Sequence, residues 1–365
     1  MIPIYAPTFV GNEKAYVNDC LDTLWISSNG SYVKKFEKAL AEYHNVEFAI
    51  VTSNCTTALH LSINGLNIQP GDEVICPALT FISPANMVQM SGAKLALVDV
   101  DEETLTLDID DLKSKITDKT KAIIAVHQFG HASKMDEIME IANSHGIAVI
   151  EDNAESIGGY FKNQILGSIG AISTFSFFGN KVITSGEGGA LLTDDEQIGY
   201  RVRYLRDHGM NPKVRYEHID LGYNYRMTNL QAAVGLAQLE KIDEINASRN
   251  DIRLKFEQSL SSINEVSLRK FADWCTPVHW LMTISVETRS IRERLIQHLF
   301  DDGIEARMMI NPVHHAHHFR KFFNETDFPV SCGVSAKSLH LPSGNQIGER
   351  EINIISNSIK DFFSK

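Results

Sequence analysis

Cysteine is scarce in this chain, and so are positive charge and long apolar runs. The five cysteines (Cys20, Cys55, Cys76, Cys275, Cys332) are scattered, odd in number and form no CxxC pair. That excludes a disulfide scaffold and a cysteine-rich zinc module, and it predicts reduced, mostly buried thiols in a cytoplasmic protein. No apolar run approaches the length of a membrane span, so no membrane partner is expected. The opening Met1–Ile2–Pro3–Ile4–Tyr5 lacks the charged and apolar regions of a signal peptide. Against 46 Asp and Glu stand only 34 Lys and Arg, a formal charge of -12. Broad nucleic-acid binding needs a basic surface and is excluded, whereas a local basic pocket is not. No fixed-period repeat is visible. Histidine, with 14 copies, is the one abundance that raises the question of a metal, above all at His314, His315, His317 and His318. No partnering carboxylate pattern accompanies them, so surface or substrate-pocket histidines are expected and metal ligands are not.

What is present reads as an ordinary globular protein, 43% hydrophobic and 22% charged. A length of 365 residues suits one large domain and one smaller one. Apolar residues recur at helical spacing over 12–25 and 32–43, on either side of a loop at Trp25–Gly30. Strand-like runs then alternate with helices: 47–53, 73–77, 94–100, 121–127, 148–152, 172–178 and 190–193. Helical patterns at 56–66 and 135–145 separate some of them. Seven strands with crossovers predict an α/β fold with an open, mostly parallel sheet covered by helices. The last two strands are joined by a short glycine-rich turn, so one strand should run against the rest. A single long helical pattern from Thr228 to about Leu260 reads as a connector. Beyond it, strand-like 280–286 and helix-like 291–302 and 349–363 predict a smaller α/β domain. The expected division is 1–245 and 246–365.

One stretch, Thr174–Phe175–Ser176–Phe177–Phe178–Gly179–Asn180–Lys181, ends an apolar run in a lysine, with glycines at 186, 188 and 189 beyond it. A lysine at the end of a buried strand is poorly solvated, which favours a neutral, nucleophilic amine. Open parallel sheets bind ligands at the carboxyl ends of their strands. After the first strand comes Ser53–Asn54–Cys55–Thr56–Thr57, which opens a helix and offers free N–H groups to a phosphate. After the second comes Phe81, an aromatic able to cover a flat ring. After the fifth comes Glu151–Asp152–Asn153–Ala154–Glu155, carboxylates that need a cationic partner. Each has a plain structural explanation on its own. Together they fit one ligand, pyridoxal 5'-phosphate, held by a lysine, a ring-nitrogen partner, a ring cover and a phosphate seat.

These residues also carry a resemblance. The whole chain resembles the DegT/DnrJ/EryC1 sugar aminotransferases, which have the fold type I architecture of pyridoxal-phosphate enzymes. The likeness is strongest in Trp25–Ile26–Ser27–Ser28, Ser53–His60, Gly71–Ile75, Val149–Glu155, Phe175–Lys181 and Gly222–Asn229. It implies Lys181 as the lysine that carries the cofactor and shuttles the proton. Asp152 would then pair with the ring nitrogen and Glu155 lie by the ring hydroxyl. Thr56, Thr57 and Ser176 would hold the phosphate, and Phe81 would stack on the ring. Asn224 would reach the phosphate of a neighbouring subunit in an obligate homodimer. Trp25 and Ser27 would line the mouth, while Arg307 and His314 are candidates for the substrate pocket; Lys213, Arg215 and Arg226 are further candidates for the diphosphate, and His127 and His131 for sugar hydroxyls.

Within the family the chain looks most like enzymes that aminate C4 of a GDP-linked 4-keto-6-deoxyhexose with glutamate, for O-antigen-type polysaccharides. A dTDP- or UDP-linked keto sugar is the alternative substrate. Relatives that remove a hydroxyl instead have histidine where this chain has Lys181, so dehydration is the weaker expectation. The chain departs from that branch at Arg307–Met308–Met309–Ile310–Asn311–Pro312–Val313–His314, where an Arg-Pro-Val-Phe-His-Pro-like stretch is usual.

Overall fold

The structure, a computed structural model, describes residues 1–364. Seven strands build the principal sheet: β1 (Phe48–Thr52), β2 (Glu73–Pro77), β3 (Lys94–Val98), β4 (Thr120–Val126), β5 (Ala148–Asp152), β6 (Ile172–Ser176) and β7 (Gly189–Thr193). Their spatial order is β1-β7-β6-β5-β4-β2-β3. The pairs β2/β3, β2/β4, β4/β5 and β5/β6 are parallel. Only β7 runs the other way, antiparallel to both β1 and β6, as the short turn before it requires. β2 and β6 are buried at every position, as in a sheet covered on both faces.

Successive residues of one strand feed opposite cores, because side chains alternate across a sheet. Leu191 of β7 joins Ile50, Leu59, Ile124 and Ile150, while Leu192 joins Phe36, Leu40, Phe175 and Ala232 on the other face. Helices at Ser31–His44 and Asn229–Leu239 cover that second face.

The connector departs from its sequence reading. The pattern from Thr228 to Leu260 is two helices, Asn229–Leu239 and Ile242–Leu260, broken at Lys241 (φ -115, ψ 9). No glycine or proline marks the break. Tertiary contacts override the local preference: Glu240 accepts hydrogen bonds from Tyr16 Oη (2.7 Å) and Asn12 Nδ2 (2.8 Å), and Gln238 Nε2 donates to Glu13 Oε1 (2.6 Å). The second helix changes cores along its length. Ile242 and Ile245 pack with the principal sheet, whereas Ile252, Phe256 and Leu260 pack with Ile284, Leu295, Leu339 and Ile355.

That further core covers a four-stranded antiparallel sheet in the order Ser267–Leu268, Met282–Ser285, Ser338–Leu341, Arg307–Met308. Helices Arg289–Asp301 and Glu349–Phe363 lie against it. A third, small sheet joins Cys275–Thr276 to Tyr160–Phe161 and Gln164–Ile165.

Candidate active site

β6 ends at Ser176, and the turn to β7 is tied across its base. Phe177 N–H donates to Gly188 O (2.8 Å) and Ser185 N–H to Phe177 O (2.9 Å). Lys181 lies inside this turn, its carbonyl accepting from Tyr5 Oη at 2.8 Å. Its amine is largely enclosed, 3.6 Å from Glu155 Oε1 and 3.7 Å from the centroid of the Trp280 ring. A cation over an aromatic face is attracted by the ring quadrupole. Trp280 is fixed from two sides: its Nε1 donates to Asn180 O (2.7 Å), and its carbonyl accepts from the buried Arg249 (2.9 Å). Sequence reasoning missed Trp280 as a neighbour of the lysine. It heads a strand-like run far along the chain, and nothing local marks it.

Two carboxylates approach from the end of β5. Asp152 is 4% exposed and accepts one N–H, from Ala154 at 3.0 Å. Burial pushes its pKa up, against the pull of that hydrogen bond and of the Lys181 charge. Glu155 is also raised by burial, opposed first by Lys181, and it accepts Phe129 N–H at 2.6 Å. Their neighbour Glu151 is different. Burial acts to raise its pKa, yet a hydrogen bond from His127 and the N–H groups of Gly167 and Gly170 hold it below the ordinary value. Ser133 N–H donates to His127 Nδ1 (3.0 Å), so the His127 proton sits on Nε2 and faces Glu151 (3.1 Å).

The end of β1 leads into helix Cys55–Gly65 through a reciprocal cap. Asn54 Oδ1 accepts Thr57 N–H (2.9 Å), and Thr57 Oγ1 donates to Asn54 O (2.8 Å). Thr57 therefore builds the helix start with both of its donors. Thr56 Oγ1 lies 2.9 Å from Ser83 Oγ. The N–H groups of Cys55 and Thr56 have no acceptor among the described residues and point out of the helix start. Gly189, first residue of β7, lies so close that a Cβ there would fall 2.5 Å from the Asn54 carbonyl carbon and 2.6 Å from Cys55 N. The strand after the lysine turn thus packs directly on the seat.

The other expected residues divide. Ser176 is nearly buried at the end of β6, with Phe178 N–H 3.4 Å from its hydroxyl. Phe81 and Trp25 are large aromatics left 59% and 56% exposed, and Ser27 is exposed beside Trp25. Asn224 is exposed and accepts from Arg226 Nε (3.1 Å), while Arg226 also pairs with Asp207 (2.9 Å). Arg307 pairs with Glu305 at 2.7 Å on the surface. His314 is not a surface histidine: it is 2% exposed, its ring lies on Phe328, and its Nε2 is 3.4 Å from Cys332 Sγ. His131 is buried against Phe271, accepting Ala272 N–H on Nε2 (3.1 Å), and so is occupied structurally, like His127.

Residues 7–360 match the DegT/DnrJ/EryC1/StrS aminotransferase family. The chain belongs to that family. Among its relatives, a protein named GDP-perosamine synthase from Escherichia coli O157:H7 is 40% identical over 363 residues, covering 100% of this chain and 99% of the relative. Another of that name from Caulobacter vibrioides is 43% identical, covering 96% and 95%. In three dimensions the chain is similar to an aminotransferase from Psychrobacter cryohalolentis (TM-score 0.92, 29% identity, 98% of each chain). This family member is a pyridoxal-phosphate-dependent aminotransferase with an α/β fold.

The residues present fit that cofactor. Asp152 is a buried carboxylate with no cationic side chain paired to it among the described residues, and such a group needs a positive partner. A protonated pyridine nitrogen is one. The N–H groups at the start of helix Cys55–Gly65 that lack a protein acceptor suit a phosphate, and Lys181 follows β6, which lies between β5 and β1 in the sheet order.

Proposed function

We propose that this enzyme transfers the amino group of glutamate to C4 of a GDP-linked 4-keto-6-deoxyhexose, giving a 4-amino-4,6-dideoxy sugar and 2-oxoglutarate. The observation that carries the reading is the match, over nearly the full length of both partners, to proteins named GDP-perosamine synthase. The product suits polysaccharide synthesis in the cytoplasm. The working form is a homodimer.

Pyridoxal phosphate, when bound, supplies the electron sink that lets an amine pass between two carbon skeletons. The chain supplies the rest. Lys181 would hold the cofactor, and its amine would move the proton at the reacting carbon. Asp152 keeps the ring nitrogen protonated. Glu155 holds the lysine, backed by Phe129 N–H, and would lie by the ring hydroxyl. The start of helix Cys55–Gly65, shaped by Thr57, would take the phosphate with Thr56 and Ser176, and Phe81 would cover the ring. Asn224, exposed on its own chain, reaches across to the partner's phosphate. Trp25 and Ser27 rim the mouth. Arg307 serves the diphosphate, since an exposed pair with Glu305 costs little to exchange. His314, turned toward Cys332, is not part of this set. The two domains divide at 245/246, where helix Ile242–Leu260 passes from one core to the other.

The test is product analysis. Purified enzyme is offered GDP- and dTDP-linked 4-keto-6-deoxyhexoses with glutamate, and products are identified by mass spectrometry and NMR. A GDP-linked 4-amino sugar is expected, formed only while Lys181 is intact. Turnover of only the dTDP sugar would overturn the nucleotide assignment. Full activity in Lys181→Ala would overturn the mechanism.

A further inference from the structure

We propose that His314, His315 and Cys332 form a binding site for a divalent zinc-type ion. One ring nitrogen of each histidine and the Cys332 Sγ lie within 4.8 Å of one another. The individual separations are those of ligands and not merely of neighbours. Cys332 Sγ is 3.4 Å from His314 Nε2 and 3.8 Å from His315 Nε2. For a tetrahedral ion with Zn–S of about 2.3 Å and Zn–N of about 2.0–2.1 Å, the S···N edge comes to about 3.6 Å. The two observed edges bracket that length. A fourth donor stands nearby: Glu325 Oε1 is 3.7 Å from His315 Nε2. It supplies the carboxylate that no pattern in the histidine-rich stretch announced.

The ligands are also held in place, which a metal site requires and a chance cluster lacks. Val313 N–H donates to Ala78 O (2.7 Å), anchoring the histidine segment on the end of β2. The His314 ring packs on Phe328, with centroids 4.7 Å apart. Cys332 rides on helix Pro329–Lys337, whose first turn is fixed by Asp99 through the N–H groups of Val330 and Ser331, both at 2.9 Å. His314 turns its Nε2, and not its Nδ1, toward Cys332 Sγ. Binding replaces the Cys332 S–H bond by S–metal, and the proton leaves to solvent. Two nitrogens, one thiolate and one carboxylate select a borderline ion such as zinc over magnesium or calcium. Such an ion would clip the segment after Pro312 to helix Pro329–Lys337.

The experiment uses the holoenzyme, treated with a chelator and titrated with ZnCl2 by calorimetry, alongside Cys332→Ser and His315→Asn. Co2+ is added as a second probe, because tetrahedral thiolate coordination gives visible bands to the red of the cofactor. One Zn2+ per chain is expected, with affinity weakened at least about 100-fold in either variant, more than the loss of an outer-sphere partner causes. A rise in melting temperature with Zn2+ should vanish in both variants. His315 is partly exposed, so its replacement tests the site even if Cys332→Ser folds poorly. Absence of saturable binding, or equal binding by His315→Asn, would overturn the proposal.

Discussion

Asp152 subtracts stability from the cofactor-free protein. Its pKa is raised from 3.8, first by burial, with the Ala154 N–H and the Lys181 charge acting against the rise. A folded acid with a raised pKa binds protons more tightly than the unfolded chain does. Its cost therefore develops as pH climbs from the ordinary carboxylate range through the raised value. Cofactor-free Asp152→Asn should thus resist urea better than cofactor-free wild type at a pH above the raised value. Its transaminase rate should fall by about 100-fold or more, since an amide cannot hold the ring nitrogen protonated. A variant that was less stable without cofactor would show that Asp152 is held by contacts other than those described.

At the scale of elements, the lysine turn and the proposed phosphate seat are one mechanical unit. Gly189 begins β7 and touches the backbone of Asn54 and Cys55. The contact is with main chain, which cannot swing aside as a side chain can. Gly189→Ala should push the start of helix Cys55–Gly65 away from β7 and weaken cofactor retention by about tenfold, a loss of about 1.4 kcal/mol. Equilibrium dialysis against pyridoxal phosphate measures it, and unchanged affinity would uncouple the strand from the seat. This dependence was not legible in the sequence, where the glycines read as space for a turn. What was legible is what local pattern encodes. The seven strands, the reversed β7, and the placement of Lys181, Asp152 and Thr56 at strand ends follow from apolar alternation and turn chemistry. What was hidden depends on distant partners. Tyr16 and Asn12 interrupt the connector at Lys241, Trp280 covers the lysine, and the His314–Cys332 contact forms between segments that share no motif.

Over the whole molecule, buried histidines set the response to acid. Burial lowers His44, His131 and His279 to about 4, and His340 to about 3. His44 and His340 each keep an Nε2 with no partner among the described residues, so a second proton would have no acceptor there. A depressed histidine binds fewer protons folded than unfolded. Stability is therefore complete above 6.5 and is lost as pH falls toward 4. The urea midpoint should drop steeply between pH 6.5 and 4.5. His44→Gln should make that slope shallower, by up to about 1.4 kcal/mol per pH unit. An identical slope would place the acid sensitivity elsewhere.

The same long reach has a consequence in time. A growing chain leaves the ribosome N-terminus first, and its early domains fold first. The seat after β1, the acids after β5 and Lys181 itself have all emerged once β7 is made. Trp280, which lies over the lysine amine and bonds to the carbonyl beside it, comes much later. Until then the amine lacks its aromatic cover. The lysine's cover is built late, so a complete surround for it belongs to the later-made part of the chain.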